Sequence, residues 1–470
     1  MKHPMGMYVI SATEMWERFS FYIFSGILVL FMYEVLHFSV PFCTFLYGII
    51  IGSTYFLQMV AGLVCDAYMG NRKSVIIGGI LMIIAQFIFT YCGSLFYLTA
   101  NVAEHSSFLF SYLEIIVLIG VAVMAVGASL FKVSITSFVG LFYDENDERL
   151  DSAYTIFYML INVGGFFAPL LLNFVVGVND PSLYQYGFLA GAIIIIIGVA
   201  MFLLLKNKYL CLPNGDPVGV IPVSKVQKNI EKRKNVNLGE KLSKIETDHL
   251  KVILLVLLVI SVFFIAHEQI STSIIILSVD YVNNIIPFTN FEVYPEFYLT
   301  LNPLFIVILS PVFIKLTSVL SDRKKEPSSI SKLTIGLIFL AISFLFLYLP
   351  FLLGNMKIEM VWMLLFNFFL VISELFIMPI SLSLITKLSP LKYKTSMVGV
   401  MFVATGIAEV ISGIFASAYP NEGEATMLLG LIPITDIASF MGVFIILALV
   451  AAIIWILLRG TVKKLMHDVN

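Results

Sequence analysis

The chain has 470 residues, of which 60% are hydrophobic and only 12% are charged, and its mean hydropathy is +0.99. Soluble proteins carry about twice that share of charged residues, so the composition predicts an integral membrane protein. The formal net charge of -2 lacks the basic excess of a nucleic-acid-binding protein, and no nucleic-acid partner is expected. The four cysteines have neither zinc-like nor redox spacing, so no metal and no other cofactor is expected.

Apolar runs of about 20 residues or more, long enough to cross a bilayer, follow one another along the chain. Six precede and six follow a polar stretch, and they lie near 7–33, 41–66, 74–99, 108–139, 152–177, 184–205, 252–279, 296–318, 331–353, 360–386, 393–418 and 436–458. The pattern predicts an all-α integral membrane fold with twelve transmembrane helices in two six-helix bundles. The predicted domains are 1–205, a cytosolic basic linker over 206–250, and 251–470.

The Lys and Arg residues between the spans are distributed unequally. With the N-terminus inside, nearly all of them fall on one face of the membrane, and only Lys357 falls on the other. Positive charge collects on the cytosolic side of membrane proteins. We therefore expect a multi-pass protein of the plasma membrane, or of the cytoplasmic membrane in a bacterium, with both termini in the cytosol.

A motif joins the second and third spans. The stretch GLVCDAYMGNRK, residues 62–73, resembles the signature loop of the major-facilitator transporters, whose two bundles hold a substrate site near the membrane midplane. Its acid, Asp66, can pair with a neighbouring helix end or an Arg when the inner face closes. We therefore expect Asp66 and Arg72 to take part in gating, with an ordinary charged cytosolic turn as the alternative.

Ionisable side chains interrupt the predicted spans, and seven of them are of interest. They are Glu14, Glu17 and Arg18 in the first, Glu114 and Lys132 in the fourth, Glu268 in the seventh and Glu374 in the tenth. Each such residue costs about 2.5–3.5 kcal/mol at the centre of a membrane helix, so it usually faces a partner or a pathway. Glu114 lies near the outer end of its span, where a carboxylate reaches water, and the other six are the functional candidates.

The charges of the first span lie on one side of its helix. Glu14, Arg18 and Tyr22 follow at i, i+4 and i+8, and Glu17 lies beside Glu14. Two carboxylates thus share one guanidinium, and two like charges in a low dielectric resist joint ionisation. The cluster predicts a membrane-embedded acid that binds and releases a proton. The alternative is a structural ion-pair triad that fixes helix packing.

The residues around these charges resemble, in the same order, the motifs of the proton-dependent oligopeptide transporters. EMWERFSFY in the first span is similar to E-x-x-E-R-F-x-Y-Y, and FKVSITSFVG in the fourth is similar to F-K-P-N-x-S-x-F-x-G. Later spans carry further segments that resemble motifs of the family, namely FYMLINVGG, HEQISTS, LNPLFIVILSPVF and SELFIMPISLSLITKLSP.

The resemblance implies a proton-coupled symporter that imports di- and tripeptides or peptide-like solutes by alternating access. The proton-coupling residues that it implies are Glu14, Glu17, Arg18, Lys132 and Glu268. The polar substrate-binding residues that it implies are Tyr22, Tyr55, Lys132, Asn162, Glu268, Asn302 and Glu374. Of these, Asn162 and Glu374 match positions that bind the substrate's amino group, and Lys132 supplies a cation for its carboxylate.

Three positions of the implied substrate site depart from the family pattern. Ser25 replaces an Arg that pairs with the substrate carboxylate and with the acid of the seventh span, and Phe264 and Met401 replace Trp. Without that Arg, the site lacks a bidentate carboxylate clamp. Glu268 then either holds a proton or pairs with His267. A packed or outward-facing His267 is the alternative, because its i-1 position turns it away from the face of Glu268.

Other functions remain open from the residues. One is a symporter of the same fold for a non-peptide solute, such as an amino acid derivative or an organic anion. Another is a nutrient sensor that binds without transport, and a third is a transporter that has lost its activity. No nucleophile–base pair or phosphate loop is found, so no enzyme is expected. The expected partners are a short peptide or analogue, protons and the lipid bilayer, with the chain acting as a monomer.

Overall fold

A computed structural model of the chain describes residues 3–36, 53–99, 107–144, 147, 149–176, 183–212, 215–220, 243–285, 297–323, 325–354, 357–420 and 426–467. These residues are predominantly α-helical, as the composition predicts. The helices are α1 Met5–Leu30, α2 53–64, α3 Gly70–Thr99, α4 Ser107–Val139, α5 Arg149–Val176, α6 Tyr184–Tyr209, α7 Lys244–His267, α8 Ser273–Asp280, α9 Phe297–Asp322, α10 Ser329–Leu352, α11 Met360–Leu388, α12 Lys394–Ala416 and α13 Ile437–Leu465.

Ten helical segments of the described residues are long and apolar enough to cross a membrane. One of them, Ser53–Leu95, runs through α2 and α3. Helix α1 is not among the ten, because Glu14, Glu17 and Arg18 lie within it. The predicted second span, 41–66, lies partly outside the described residues. The chain is thus a multi-pass membrane protein.

The ends of several helices follow from local hydrogen bonds. At the start of α7 the Ser243 side chain accepts from the Glu246 N–H, and the Glu246 carboxylate accepts from the Ser243 N–H at 2.7 Å. This capping box satisfies two backbone donors that the first helical turn leaves unpaired. Helix α7 therefore begins at Lys244, within the stretch predicted as linker. Between α2 and α3, Gly70 has a φ of 71°, a conformation that glycine adopts at little cost.

The described chain divides into two compact units. Unit 1 comprises Met1–Asp144, Ile156–Glu240 and Pro390–Val403, and unit 2 comprises Glu145–Thr155, Lys241–Ser389 and Ala404–Asn470. The first turns of α5 therefore belong to unit 2, and the first turns of α12 belong to unit 1. The division of the sequence into two bundles at the basic linker stays a prediction.

Unit 1 is built on close contacts of α3 with α4 and α6, and of α1 with α6. Gly78 and Gly127 let α3 and α4 approach, because a Cβ on either glycine would meet the backbone oxygen of the other. Beside this crossing, fully buried aromatic rings of α1, α3 and α6 contact one another, with Phe24 and Phe89 centroids at 5.0 Å. This packing holds α1, which carries the charged motif, in a fixed position.

Unit 2 is built around α10, which contacts α11 and α13. The rings of Phe344 in α10 and Phe444 in α13 stack with centroids 4.9 Å apart, and the Trp455 indole donates to the Ile330 carbonyl at 3.0 Å. Helix α11 also contacts α7 and α9. Two short strand pairs join loops between helices: β1 Val282–Asn283 runs parallel to β2 Ile358–Glu359, and β3 Thr426–Leu428 runs antiparallel to β4 Ile432–Ile434.

Candidate functional site

The acids and bases of the predicted proton-coupling motif meet inside unit 1. Glu17 and Arg18 form a bidentate pair, in which the guanidinium Nε lies 2.5 Å from Oε2 and Nη2 lies 2.5 Å from Oε1. The Arg18 guanidinium also lies 4.6 Å from the centroid of the Phe21 ring. Both oxygens of Glu17 are thus held by one guanidinium, in the bidentate geometry typical of strong Arg–carboxylate pairs.

Glu14 has a different environment from Glu17, although both side chains are fully buried. The Lys132 ammonium of α4 donates to Oε1 of Glu14, and the Arg18 Nε lies 3.6 Å from the same oxygen. The second oxygen, Oε2, has no hydrogen-bond partner among the described residues. A buried carboxylate oxygen without a partner is costly unless it binds a proton or water. Of the two acids, Glu14 therefore has the open position for a proton.

The four charges of this cluster balance. Glu14 and Glu17 supply two negative charges, and Arg18 and Lys132 supply two positive charges, with 12% of each basic side chain exposed. Adding one proton to Glu14 would therefore leave a positive charge on Lys132 without its counter-ion. Buried charges are strongly disfavoured without a partner, so protonation would make this ammonium available to an anion.

Asp66 and Arg72, the predicted gating residues, bind different partners. The Asp66 carboxylate accepts from the backbone N–H of Ser396 at 2.8 Å and of Thr395 at 3.2 Å, and it also accepts from the Ser396 hydroxyl. An acid at this position stabilises the positive end of α12. This is the helix-end pairing that the sequence predicts for Asp66. Arg72 instead binds backbone oxygens after α6, with its Nε 2.7 Å from the Val218 carbonyl.

A second polar cluster lies within unit 2, where α7, α9 and α11 meet. Asn302 of α9 donates to Oε2 of Glu374 at 2.8 Å. The His267 ring lies between two acids, with Nε2 3.4 Å from Oε2 of Glu374 and Nδ1 3.1 Å from Oε1 of Glu268. Glu374 is buried, whereas 29% of the Glu268 side chain is exposed.

The outward-facing or merely packed position considered for His267 is wrong. Helix α7 ends at His267, and the chain continues as a tighter 3₁₀ turn over Glu268–Ser271. His267 and Glu268 are adjacent in sequence, and their side chains nevertheless meet, as those of Glu17 and Arg18 do within α1. The pairing of His267 with Glu268, the other possibility, is the one observed.

The remaining predicted substrate residues are distributed over both units. In unit 1, Tyr22 is 42% exposed, the Ser25 hydroxyl donates to the Tyr22 carbonyl at 3.4 Å, and the Asn162 amide donates to the Tyr158 carbonyl at 2.9 Å. Tyr55 of α2 is half-buried and Met401 of α12 is fully buried. In unit 2, the Phe264 ring lies 5.9 Å from the His267 ring.

Sequence reasoning missed a third charged cluster, which is buried in unit 2. Asp151 of α5 accepts from the Lys332 ammonium at 2.6 Å and from the Ser383 hydroxyl at 2.6 Å, and the Lys387 ammonium lies 3.8 Å away. Glu326 is the second acid on Lys332, also at 2.6 Å. These residues lie at the ends of predicted spans. A charge at the end of a span usually reaches water, so the burial of these residues is not expected from their positions in the sequence. The signal that could have found them is Lys332 inside the predicted ninth span.

The chain is similar over nearly its whole length to known peptide transporters. Dipeptide and tripeptide permease A of Klebsiella pneumoniae (strain 342) is 27% identical over 493 residues, covering 99% of this chain and 93% of the relative. The crystal structure of a peptide transporter POT in complex with sulfate has a TM-score of 0.64 at 22% identity, covering 99% of this chain and 96% of the other. A POT family transporter in complex with 5-aminolevulinic acid has a TM-score of 0.64 at 20% identity, with 98% and 97% covered.

These similarities confirm the resemblance that the motifs indicate. The family model described as Major Facilitator Superfamily matches residues 15–413, which contain Glu17 and Arg18 of the first span, the signature loop and all residues of the unit 2 polar cluster. Because this match extends over most of the chain, the protein belongs to the Major Facilitator Superfamily, and it is a transporter and not an enzyme.

Proposed function

We propose that the protein is a proton-coupled symporter that imports di- and tripeptides or peptide-like solutes by alternating access. Its twelve transmembrane helices would form two six-helix bundles, with both termini in the cytosol, and the chain would act as a monomer. Relatives named as a dipeptide and tripeptide permease and as a di-/tripeptide transporter support the substrate class. The charged cluster of unit 1 supports the coupling to protons.

One observation carries the proposal, namely the unequal environment of the two buried acids. Glu17 is held on both oxygens by Arg18, whereas Glu14 has Oε1 on Lys132 and Oε2 without a hydrogen-bond partner in the described part of the chain. A proton on Glu14 would cancel its charge and release the Lys132 ammonium. That ammonium could then bind a substrate carboxylate, so the proton and the substrate would enter the protein together.

The unit 2 cluster supplies the opposite charge. Glu374 is a buried acid whose position is held by Asn302, and it can bind the ammonium of a peptide. Asn162 in unit 1 uses its amide N–H on the Tyr158 carbonyl, so its amide oxygen is the atom suited to accept from an ammonium. A protein with a cation and an acid for the two ends of a zwitterion fits peptides and smaller amino acid derivatives alike.

A second candidate substrate is an amino acid derivative, and Ser25 is the observation that favours it. A hydroxyl at this position replaces the guanidinium that the family uses to clamp a peptide carboxylate, and the hydroxyl donates within its own helix. A structural neighbour was solved with 5-aminolevulinic acid, which has one amino and one carboxyl group.

Uptake into proteoliposomes tests the proposed function. The purified full-length protein would be reconstituted with an imposed inward proton gradient and offered a panel of dipeptides, tripeptides and 5-aminolevulinic acid. We expect concentrative uptake of at least one dipeptide, and we expect collapse of the gradient with an ionophore to end it. Uptake that ignores the gradient, or no uptake of any peptide, would contradict the proposal.

The Ser25→Arg variant tests whether this position sets selectivity. A guanidinium offers two parallel hydrogen bonds to a carboxylate, which are worth about 1.5–3 kcal/mol or about tenfold or more in affinity. We therefore expect tighter binding of dialanine, measured by isothermal titration calorimetry. Ser25→Lys is the control, because it adds the charge without the bidentate geometry. Unchanged or weaker dialanine binding by Ser25→Arg would exclude a selectivity role for this residue.

A further inference from the structure

The unit 2 cluster contains an ionisable group that the family motifs do not assign. His267 contacts acids through both ring nitrogens, Glu268 through Nδ1 at 3.1 Å and Glu374 through Nε2 at 3.4 Å. An imidazolium donates from both nitrogens, whereas a neutral imidazole donates from only one. The geometry therefore suits the doubly protonated ring, which satisfies a carboxylate on each side.

The charge of this cluster differs from that of the unit 1 cluster. Glu268 and Glu374 are the ionisable groups that contact His267 among the described residues, while α9 contributes the uncharged Asn302, whose amide nitrogen lies 3.4 Å from Nε2 and 2.8 Å from the Glu374 carboxylate. One imidazolium and two carboxylates carry a net charge of one negative unit, and the aromatic rings of Phe263 and Phe264 cover the imidazole at 5.2 and 5.9 Å. The cluster can therefore accept one further positive charge.

We propose that His267 is a second proton-binding residue of the transport cycle, which pairs with Glu374 before the substrate binds and passes its proton to Glu268 when the substrate's ammonium binds Glu374. This inference rests on the proposed function, since it assumes a substrate with an ammonium group. It deepens that function by assigning a proton acceptor and a competing cation to the same site.

The step conserves the proton and the charge. The N–H bond at Nδ1 of His267 breaks and an O–H bond forms at Oε1 of Glu268, so that a cation and an anion become two neutral groups. The remaining Nε2–H and the Asn302 amide still donate to Glu374, which gains the substrate's ammonium. The cluster moves from one negative charge to neutrality. It keeps its proton during this step, so the substrate does not exchange for a proton.

Equilibrium binding of dialanine to the purified full-length protein tests this step through two single variants and their combination. In Glu268→Gln the acceptor is lost, the imidazolium keeps its proton, and it competes with the ammonium for Glu374. We expect binding to weaken by about tenfold. Adding His267→Gln removes the competing cation, so the double variant should bind more tightly than Glu268→Gln alone.

If His267 has only a structural role, the order of the two dialanine affinities is reversed. In that case the second substitution would add to the damage, and a double variant that binds as weakly as Glu268→Gln, or more weakly, would overturn the proposal. His249→Gln is the matched control, because His249 lies in the same helix and is buried, and its contacts are with the Met466 carbonyl at 3.2 Å and the His467 ring at 6.0 Å between centroids, away from the unit 2 cluster. This control should bind dialanine as the unchanged protein does.

Nitrogen-15 NMR of histidine-labelled protein separates this inference from the proposed function. At about pH 6, we expect the His267 signals, identified by their loss in His267→Gln, to report a doubly protonated ring. Dialanine should convert them to those of a singly protonated ring. A singly protonated ring in the protein without dialanine would overturn the inference even if the protein transports peptides. Failure of the unchanged protein to bind or take up any peptide would instead contradict the proposed function.

Discussion

Glu14→Gln is expected to abolish gradient-driven peptide accumulation while counterflow exchange continues. Glutamine is close in shape to a protonated glutamate, and its amide oxygen can still accept from the Lys132 ammonium that now binds Oε1. It cannot bind and release a proton, however, so the transport cycle of this variant would carry no coupled proton. Both accumulation and counterflow are measured in proteoliposomes as the entry of labelled dialanine. Accumulation is driven by an inward proton gradient, and counterflow is driven by unlabelled dialanine inside the vesicles.

Glu114→Gln is the matched control for this variant. Glu114 is an exposed glutamate on α4, the helix that also carries Lys132, and the substitution should leave both modes of transport unchanged. Concentrative uptake by Glu14→Gln at the level of the unchanged protein would contradict the coupling role of Glu14. Equal loss of accumulation and counterflow would mean that the cluster is a structural ion-pair network.

Glu17→Gln should behave differently from Glu14→Gln. Glu17 is bound to Arg18 at 2.5 Å through both oxygens, and a neutral amide cannot balance that buried guanidinium. Breaking a buried ion pair by removing one partner destabilises a protein by about 3–5 kcal/mol, because the other charge is left uncompensated. We therefore expect the two acids of one motif to differ, with Glu14 as the proton-binding residue and Glu17 as a fixed counter-ion.

Asp151→Asn is expected to destabilise the protein by about 3–5 kcal/mol, as for other buried pairs that lose one partner. The substitution removes the acid 2.6 Å from Lys332 and 3.8 Å from Lys387, both of which are buried. Glu326 would then be the remaining acid paired with Lys332 among the described residues. Thermal unfolding of the purified protein in detergent measures the loss as a lower midpoint.

Two further variants identify the cause of this destabilisation. Asp147→Asn is the control, because Asp147 lies four residues earlier and pairs at 2.7 Å with Arg149, 39% of whose side chain is exposed. Exposed pairs contribute only about 0–1 kcal/mol, so a small effect is expected. Combining Asp151→Asn with Lys332→Gln should cost less than the sum of the single changes, since these residues share one interaction. Additive losses would show that the charges are not coupled.

The sequence alone indicated the class of protein and most of the residues that carry its chemistry. Long apolar runs predict membrane helices because the bilayer requires every spanning segment to satisfy its own backbone. A charge inside such a run is costly, and this cost singles out Glu14, Glu17, Arg18, Lys132, Glu268 and Glu374. The i, i+3 and i+4 offsets of the first span also predict that two acids share Arg18, and its Nε lies 2.5 Å from Glu17 and 3.6 Å from Glu14.

Only the tertiary structure decided which atoms are paired within these clusters. Lys132 is 118 residues from Glu14, and Asp151 is 181 residues from Lys332, so helical periodicity says nothing about either contact. His267 was misjudged because its i-1 position was taken to turn it away from Glu268, whereas the side-chain rotamers that packing selects bring Nδ1 within 3.1 Å of Oε1. Membrane propensity depends on the composition of a segment, whereas the partner of each charge depends on how the helices pack. The difference between Glu14 and Glu17, on which the proposed proton coupling rests, therefore comes from packing.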